Sequence, residues 1–449
     1  MINFLSFREN KLLIKNISGA FIIKGGGIIL SFFSMPAYIL FFSDETILGV
    51  WFTIMSVINW ILAFDLGIGN GLRNKLPEAL VKKDIIGARE YISSAYISIT
   101  ALALIIGVGF FLINPHLSWN KILNISTDKI SKYILSNTIE VFIIGILVRF
   151  ILGLTTSILH AFQRSALNNF LNLVSNAIIF IYILFAPAGT IEENLYILSW
   201  VNVVATNIPL FIATIIIFFT LLKKMTPSLS KFNFGKAVEI LRIGTVLLWL
   251  QIVFMIVVTT HPLIISKLIG PAAVVDYQVY YKLFNTFASI FSLILTPVWS
   301  AVTVAQAQKR YSWIRKLYYL LLTFVAGTLV INLCTFPFLQ RIMDVWLGEQ
   351  SIHINFKYAF IMSIFNTFFI LHNVNTTFSN GMSKFKVQNI GMGIAAILIL
   401  PFSYIFCEIT ESWIGVIIAC SLSILPYEIS QLIWTTRFFK RKMRENQNV

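Results

Sequence analysis

Residues 133–159 read YILSNTIEVFIIGILVRFILGLTTSIL, an apolar run interrupted by two charges, Glu140 and Arg149. About 18 such residues suffice to cross a bilayer as a helix. In hydrocarbon every backbone N–H and C=O must be satisfied within the segment, so a run of this kind is helical. Comparable runs recur from Ile14 to Thr436, separated by short polar stretches. The reading is an all-α integral membrane protein of about twelve transmembrane helices, at 14-40, 46-64, 91-113, 133-159, 167-189, 195-222, 243-267, 276-303, 317-339, 356-380, 387-407 and 412-436. Composition agrees: 57% of the 449 residues are hydrophobic and 12% charged, about half the charge of a soluble domain. A β-barrel would show short alternating segments instead. Arg8, Lys11 and Lys15 precede an apolar run too long for a signal-peptide core, so the first run is expected to stay as a helix.

The net charge of +15 has a membrane explanation. Most lysines and arginines fall on the even-numbered connections and the termini, in the stretches Arg73 to Arg89, Lys223 to Arg242, Lys309 to Lys316 and Arg437 to Arg444. The positive-inside rule then places both termini of a multi-pass protein in the cytoplasm, with these stretches against anionic inner-leaflet lipids. No nucleic-acid-binding module is visible, so nucleic acid is not an expected partner.

The two halves align as a repeat: Pro36 with Pro262, Trp51 with Tyr277 and Arg89 with Arg315 at one offset, and Arg164 with Lys384 at a neighbouring one. This pattern predicts an N-terminal six-helix lobe at 1-222, a cytoplasmic linker at 223-242, a C-terminal six-helix lobe at 243-436 and a basic cytoplasmic tail at 437-449. Parallel repeats of this kind are a transporter architecture.

Enzyme chemistry has little support. His116, His160, His261, His353 and His372 are dispersed, and no nucleophile elbow, Walker loop or metal-helix spacing occurs. Neither a catalytic residue nor a metal ligand nor a cofactor is expected. Cys334, Cys407 and Cys420 lack motif spacing and read as packing residues. Gly67, Gly69 and Gly71, in the run Asp65-Leu-Gly-Ile-Gly-Asn-Gly, read as a tight turn leaving the second helix. The longest external loop, 114-132, is small for a glycan polymerase or ligase, and its basic character runs against the positive-inside trend.

Three cations inside the spans are more informative. Lys24 and Arg149 each lie about 15 Å from a cytoplasmic helix end, near mid-bilayer, and Lys282 about 9 Å below an outer end. A central charge facing lipid costs roughly 2.5–3.5 kcal/mol or more, which favours a protein-lined or watery setting. Helical spacing puts Gln278, Lys282, Asn285, Ser289, Ser292 and Thr296 on one polar stripe. Lys24 shares a face with Ala20, Gly27, Ser31 and Ser34, and Arg149 with Gly145, Gly153, Thr156 and His160. Asn366, Asn373, Thr377 and Asn380 mark another face on the tenth span. Small residues also mediate helix packing in lipid, so each stripe has a structural alternative. Lys24, Arg149, Lys282, Gln278, Asn285 and Asn373 are the expected substrate-binding residues, and their sign points to an anion such as phosphate or diphosphate. Glu140 falls on the face opposite Arg149, and Glu428 is expected to reach the inner interface.

The segments Phe64-Asp-Leu-Gly-Ile-Gly-Asn-Gly-Leu-Arg-Asn-Lys-Leu76 and Ala88-Arg-Glu-Tyr-Ile-Ser-Ser-Ala-Tyr96 resemble the second-to-third-helix region of O-antigen and related polysaccharide-repeat flippases. These Wzx-type proteins belong to the multidrug/oligosaccharidyl-lipid/polysaccharide (MOP) transporter superfamily, whose fold is MATE-like. The resemblance implies alternating access by two six-helix lobes across a cationic central cavity, and movement of an undecaprenyl-diphosphate-linked oligosaccharide from the inner to the outer leaflet of a bacterial cytoplasmic (inner) membrane. Polysaccharide-assembly proteins are possible partners, and a coupling ion, H+ or Na+, is possible. The segment holding Asp65, Gly67, Gly69 and Arg73 is expected to form a cytoplasmic turn that gates the movement. The rivals are a MATE-type cation or multidrug antiporter and, from another class, a membrane-embedded glycan polymerase or ligase.

Overall fold

The computed structural model describes residues 7–62, 67–162, 164–187, 189–382 and 384–447. They form sixteen α-helices with short 3-10 turns and one π-helical turn, and no strand occurs among the described residues. The contacts divide the chain into two compact units, Met1–Ile47 with Ile54–Ile252, and Leu48–Thr53 with Val253–Val449.

In the first unit run α1 (Phe7–Phe42), most of α2 (Glu45–Leu62), α3 (Ile68–Val81), α4 (Ile85–Ile113), α5 (Trp119–Ile122), α6 (Lys132–Ala161), α7 (Ser165–Phe185), α8 (Ile191–Phe219) and nearly all of α9 (Phe234–Phe254). Helix α6 is the hub, packed on α3, α4, α7 and α8, while α1 packs on α7. Lipid is as apolar as the side chains, so close approach and interhelical hydrogen bonds hold such helices together. Gly145 shows the device: a Cβ there would overlap the Val203 side chain. Without one, α8 comes near enough for Asn207 Nδ2 to donate to the Gly145 carbonyl at 3.2 Å. The Thr155 and Thr214 hydroxyls meet at 2.6 Å two turns further along.

Residues 223–242, expected as a linker, are fastened to the first unit. Arg89 Nε donates to the Thr226 carbonyl at 2.9 Å, Ser93 Oγ accepts from the Ser228 N–H at 3.1 Å, and Ser94 Oγ accepts from the Asn233 N–H at 3.0 Å. Lys236 pairs with Glu90 at 2.9 Å. From Phe234 onward this stretch is already helix α9. The loop at 114–132, expected to be external, is held by side-chain contacts as well. Trp119 Nε1 donates to Asn114 Oδ1 at 2.7 Å, Asn114 Nδ2 donates to Glu140 at 2.6 Å, and Lys129 pairs with Asp44 at 2.6 Å. Partial burial pushes the Asp44 carboxyl up, but the hydrogen bonds from Lys129 and from the Ile47 and Thr46 N–H groups outweigh it, and its pKa lies below the ordinary value. Part of that loop's basic charge is therefore matched within the fold.

The second unit holds α10 (His261–Leu268), α11 (Pro271–Ala307), α12 (Tyr311–Cys334), α13 (Leu339–Leu347), α14 (Phe356–Gly381), α15 (Lys386–Thr410) and α16 (Ile414–Gln447). Its core lies where α11, α12, α14 and α16 meet, around Val302, Tyr318, Val374, Phe378 and Phe439. The chain enters through a π-helical turn, Met255–Thr259, and bends by 40° into α10. Such a break frees backbone carbonyls that lipid cannot satisfy. Side chains take them: the Thr259 and Thr260 hydroxyls donate to the Met255 carbonyl at 2.9 and 3.0 Å, and His261 Nε2 lies 2.8 Å from the Val257 carbonyl.

Ten helices among the described residues are long and apolar enough to span a membrane, and the bent pair across the π-turn makes an eleventh. The protein is a multi-pass membrane protein. The expected tenth span, α14, is present as a 26-residue helix, about 39 Å long, but is too polar to join the apolar set. Ser363, Asn366, His372, Asn375 and Ser379 on it are all buried. Ser363, Asn366 Nδ2, His372 and Asn375 each hydrogen-bond within the protein.

Two further expectations need correction. Residues 68–75 form the first part of helix α3, so among the described residues of the glycine run only Gly67 is turn. Glu428 does not reach an interface, being fully buried. Among the cysteines Cys407 and Cys420 are buried as packing residues, whereas Cys334 is exposed.

Candidate substrate-binding site

The sequence-derived site residues sit on four helices. Lys24 is exposed on α1. A Cβ built on Gly27, one turn along the same face, would meet nothing within 4 Å, so at that position the stripe packs against no described residue. Ser34 turns inward and donates to the Ser31 carbonyl of its own helix at 2.7 Å. The side chain of Ala20 lies outside the described residues.

Arg149 is half-buried on α6, and its Nη1 donates to the Thr206 carbonyl of α8. Its stripe divides in two. Gly145 serves the crossing with α8, while Gly153 borders open space. A guanidinium carries five N–H donors. One takes Thr206, and the others have no partner among the described residues. Glu140 engages Asn114 and not Arg149, in line with its place on another face. Lys24 and Arg149 share no hydrogen bond.

In the second unit, Gln278, Lys282 and Asn285 line one face of α11, all partly buried. Their side chains have no hydrogen-bond or ion-pair partner among the described residues, and Ser292 Oγ on the same stripe donates to the Ser289 carbonyl at 2.7 Å. The Thr296 side chain lies outside the described residues. On α14 the expected polar face separates into two functions. Asn366 is a bolt, its Nδ2 donating to the Phe284 carbonyl of α11 at 2.9 Å. Asn373 is partly buried; its side chain has no partner among the described residues, and its backbone carbonyl accepts from Thr377 Oγ1 at 2.7 Å.

Of the expected gating residues, Asp65 lies outside the described residues. Gly67 stands at the start of α3 with φ 71°, a left-handed backbone that suits glycine, and a Cβ there would overlap the Gly244 backbone of α9. Gly69 is buried on α3 and Arg73 is exposed. The next turn carries a charged clamp. Lys75 lies 2.6 Å from Glu239 and 3.1 Å from Glu78, and Tyr91 donates to Glu239 at 2.6 Å. The hydrogen bond to Glu239, then that to Glu78, raises the Lys75 ammonium above its ordinary value, and the same bond with that from Tyr91 lowers the Glu239 carboxyl.

One constellation escaped the sequence reading. Glu428 on α16 lies 3.0 Å from His372 Nδ1 and accepts from Asn375 Nδ2 at 2.5 Å, both on α14. Tyr318 of α12 donates to Asn375 Oδ1 at 2.6 Å. A lone acid in an apolar span and a histidine 56 positions away are the available signals. Pairing them requires knowing that α14 and α16 are neighbours.

No family model matches the sequence, and no curated protein matches it by sequence. Solved structures do match in fold. An inward-facing multidrug resistance MATE family transporter of the MOP superfamily is 13% identical with a TM-score of 0.72, covering 92% of this chain and 96% of that one. The Vibrio cholerae MATE transporter VcmN in its bent form is 12% identical, with a TM-score of 0.63 and coverages of 96% and 97%. An outward-facing MATE transporter is 14% identical, with a TM-score of 0.57 and 96% of each chain covered. The chain has the fold of these proteins over nearly its whole length.

Proposed function

We propose that the chain is an alternating-access transporter that moves an undecaprenyl-diphosphate-linked oligosaccharide from the inner to the outer leaflet of a bacterial cytoplasmic membrane, with both termini in the cytoplasm. The fold supports transport, since matched structures include MATE transporters in inward-facing and outward-facing conformations. The cargo rests on one observation: Lys24, Arg149 and Lys282 lie within membrane helices and have no acidic partner among the described residues. Cations in that setting need a counter-charge, and a diphosphate headgroup supplies it. Gln278, Asn285 and Asn373 offer polar groups suited to saccharide hydroxyls. The residues act by electrostatics and positioning, with no covalent chemistry. Restoration of surface polysaccharide in a flippase-deficient strain tests this reading, and failure at normal protein level in membranes counts against it.

A second reading, a MATE-type cation or multidrug antiporter, is favoured by the matched structures themselves and by the buried carboxylate of Glu428. Uptake of a cationic dye by everted vesicles, without restored polysaccharide, would select it.

A further inference from the structure

From the buried cluster on α14 and α16 we infer that His372 and Glu428 form a proton-binding site in the second unit, and that a second proton on the pair loosens the tie between the two helices. Its role in coupling rests on the transport reading above, whichever cargo applies. Proton binding itself does not.

Glu428 is wholly inaccessible and His372 is 3% exposed. Among the described residues no lysine, arginine or aspartate bonds to either. A carboxylate in such a place is tolerable only with a proton or a cation beside it, and the imidazole 3.0 Å away is the one on offer. The groups facing the pair are otherwise neutral: Tyr318 from α12, Tyr427, Asn375 and Thr376 from α16 and α14, and the Phe254 ring stacked on His372 at 5.9 Å. From α15, Gly391 packs under Tyr427 and brings no charge.

The geometry selects a proton over a metal ion. One carboxylate oxygen faces His372 Nδ1 and the other accepts the Asn375 N–H, while His372 Nε2 faces Thr376 Oγ1 at 3.4 Å. A hard cation requires a shell of oxygens, and here nitrogen groups occupy both carboxylate positions. No cluster of three or more metal-ligating side chains occurs among the described residues.

A polar track leads away from the pair. Gln431 Nε2 donates to Thr435 Oγ1 at 3.1 Å, and the buried Gln431 Oε1 and Ser379 Oγ have no partner among the described residues. Thr435 lies about 10 Å along α16 from Glu428, toward the basic tail. Buried orphans of this kind can carry bridging waters.

With one proton shared, the pair is an imidazolium and a carboxylate, or an imidazole and an acid, and carries no net charge. A second proton, taken from water, yields imidazolium and carboxylic acid with a charge of +1. The Asn375 N–H then donates to a neutral acid in place of a carboxylate, a weaker bond. Release of that proton to water restores the tie.

Infrared difference spectroscopy of the full chain in lipid, between a neutral and an acidic buffer, reads the site without any cargo. A carboxylic-acid band should appear on acidification. Glu428→Gln should abolish it, and His372→Gln should leave the acid band present in both buffers. A wild-type spectrum without such a band, or a band that persists in Glu428→Gln, overturns the site. In liposomes loaded with lipid-linked saccharide or with a cationic dye, a gradient of one pH unit supplies a driving factor of about ten. Transport should respond to it in wild type and not in His372→Gln. Wild-type transport indifferent to the gradient overturns the coupling role and leaves the transport reading standing. Titration without transport of either cargo supports the proton site and counts against the transport reading.

Discussion

The Tyr91 hydroxyl donates to the Glu239 carboxylate across 2.6 Å, although 148 residues separate the two in the chain. The same carboxylate holds Lys75 at 2.6 Å, so α3, α4 and α9 meet at a single acid. That acid lies in the stretch a sequence reading treats as a loose connection.

Replacing Glu239 by Gln should therefore weaken the α3–α9 contact without disturbing the helices. The Glu239 side chain is 41% exposed, so solvent screens the pair and its worth is about 0–1 kcal/mol. A fall of at most about two degrees in thermal stability is expected. The pH dependence has a definite sign. The Glu239 carboxyl is lowered in the fold, so its contribution is present above the ordinary glutamate value and disappears as pH falls through the lowered one. The Lys75 ammonium is raised, so its share persists through neutral pH and is lost only above the lysine range. Melting curves of wild type and Glu239→Gln should converge in acid and differ at neutral pH.

Gly67→Ala should cost more than Glu239→Gln. Its φ of 71° is strained for any residue with a Cβ, by roughly 1–2 kcal/mol, and that atom would also collide with the Gly244 backbone. Thermal unfolding and the yield of folded protein in detergent measure this. Gly69→Val, on the buried turn of α3, should reduce transport while leaving membrane insertion intact, and unchanged transport would remove the gating role of this segment.

Arg149 carries the most specific prediction. A charge-assisted hydrogen bond is worth about 1.5–3 kcal/mol, so Arg149→Ala should reduce translocation roughly tenfold to a hundredfold. Arg149→Lys keeps the charge and one bond toward the Thr206 carbonyl but loses the planar fork, and should fall between. Lys24→Ala should weaken transport, and Lys282→Ala should be milder because that side chain can extend toward the outer surface. The assay is translocation in liposomes with protein level measured in parallel. Normal rates in both Lys24→Ala and Arg149→Ala would refute a cationic binding site.

Topology is tested with an impermeant thiol reagent on a background in which exposed Cys334 is replaced by Ser. Cysteines at Lys82 and Thr127, both exposed, should label from opposite sides: Thr127 in intact cells, Lys82 only after permeabilisation. Labelling of position 82 in intact cells would invert the assignment.

The long apolar runs were sufficient to specify a helical membrane protein, because hydrocarbon leaves the backbone no alternative to the helix. The same argument located Lys24, Arg149 and Lys282 within spans from residue number alone. Whether a polar residue on such a helix faces a neighbour or an opening was not encoded in its spacing. Gly145 and Gly153 share one stripe, yet the first is filled by Val203 and the second borders open space. Asn366 and Asn373 share another, and only Asn366 bolts to α11. Periodicity assigns residues to a face, and the partner of that face depends on which helices come together. For that reason the tertiary structure alone brought Glu428 to His372: a single acid and a single histidine carry no mutual signal until α14 and α16 pack side by side and bury both.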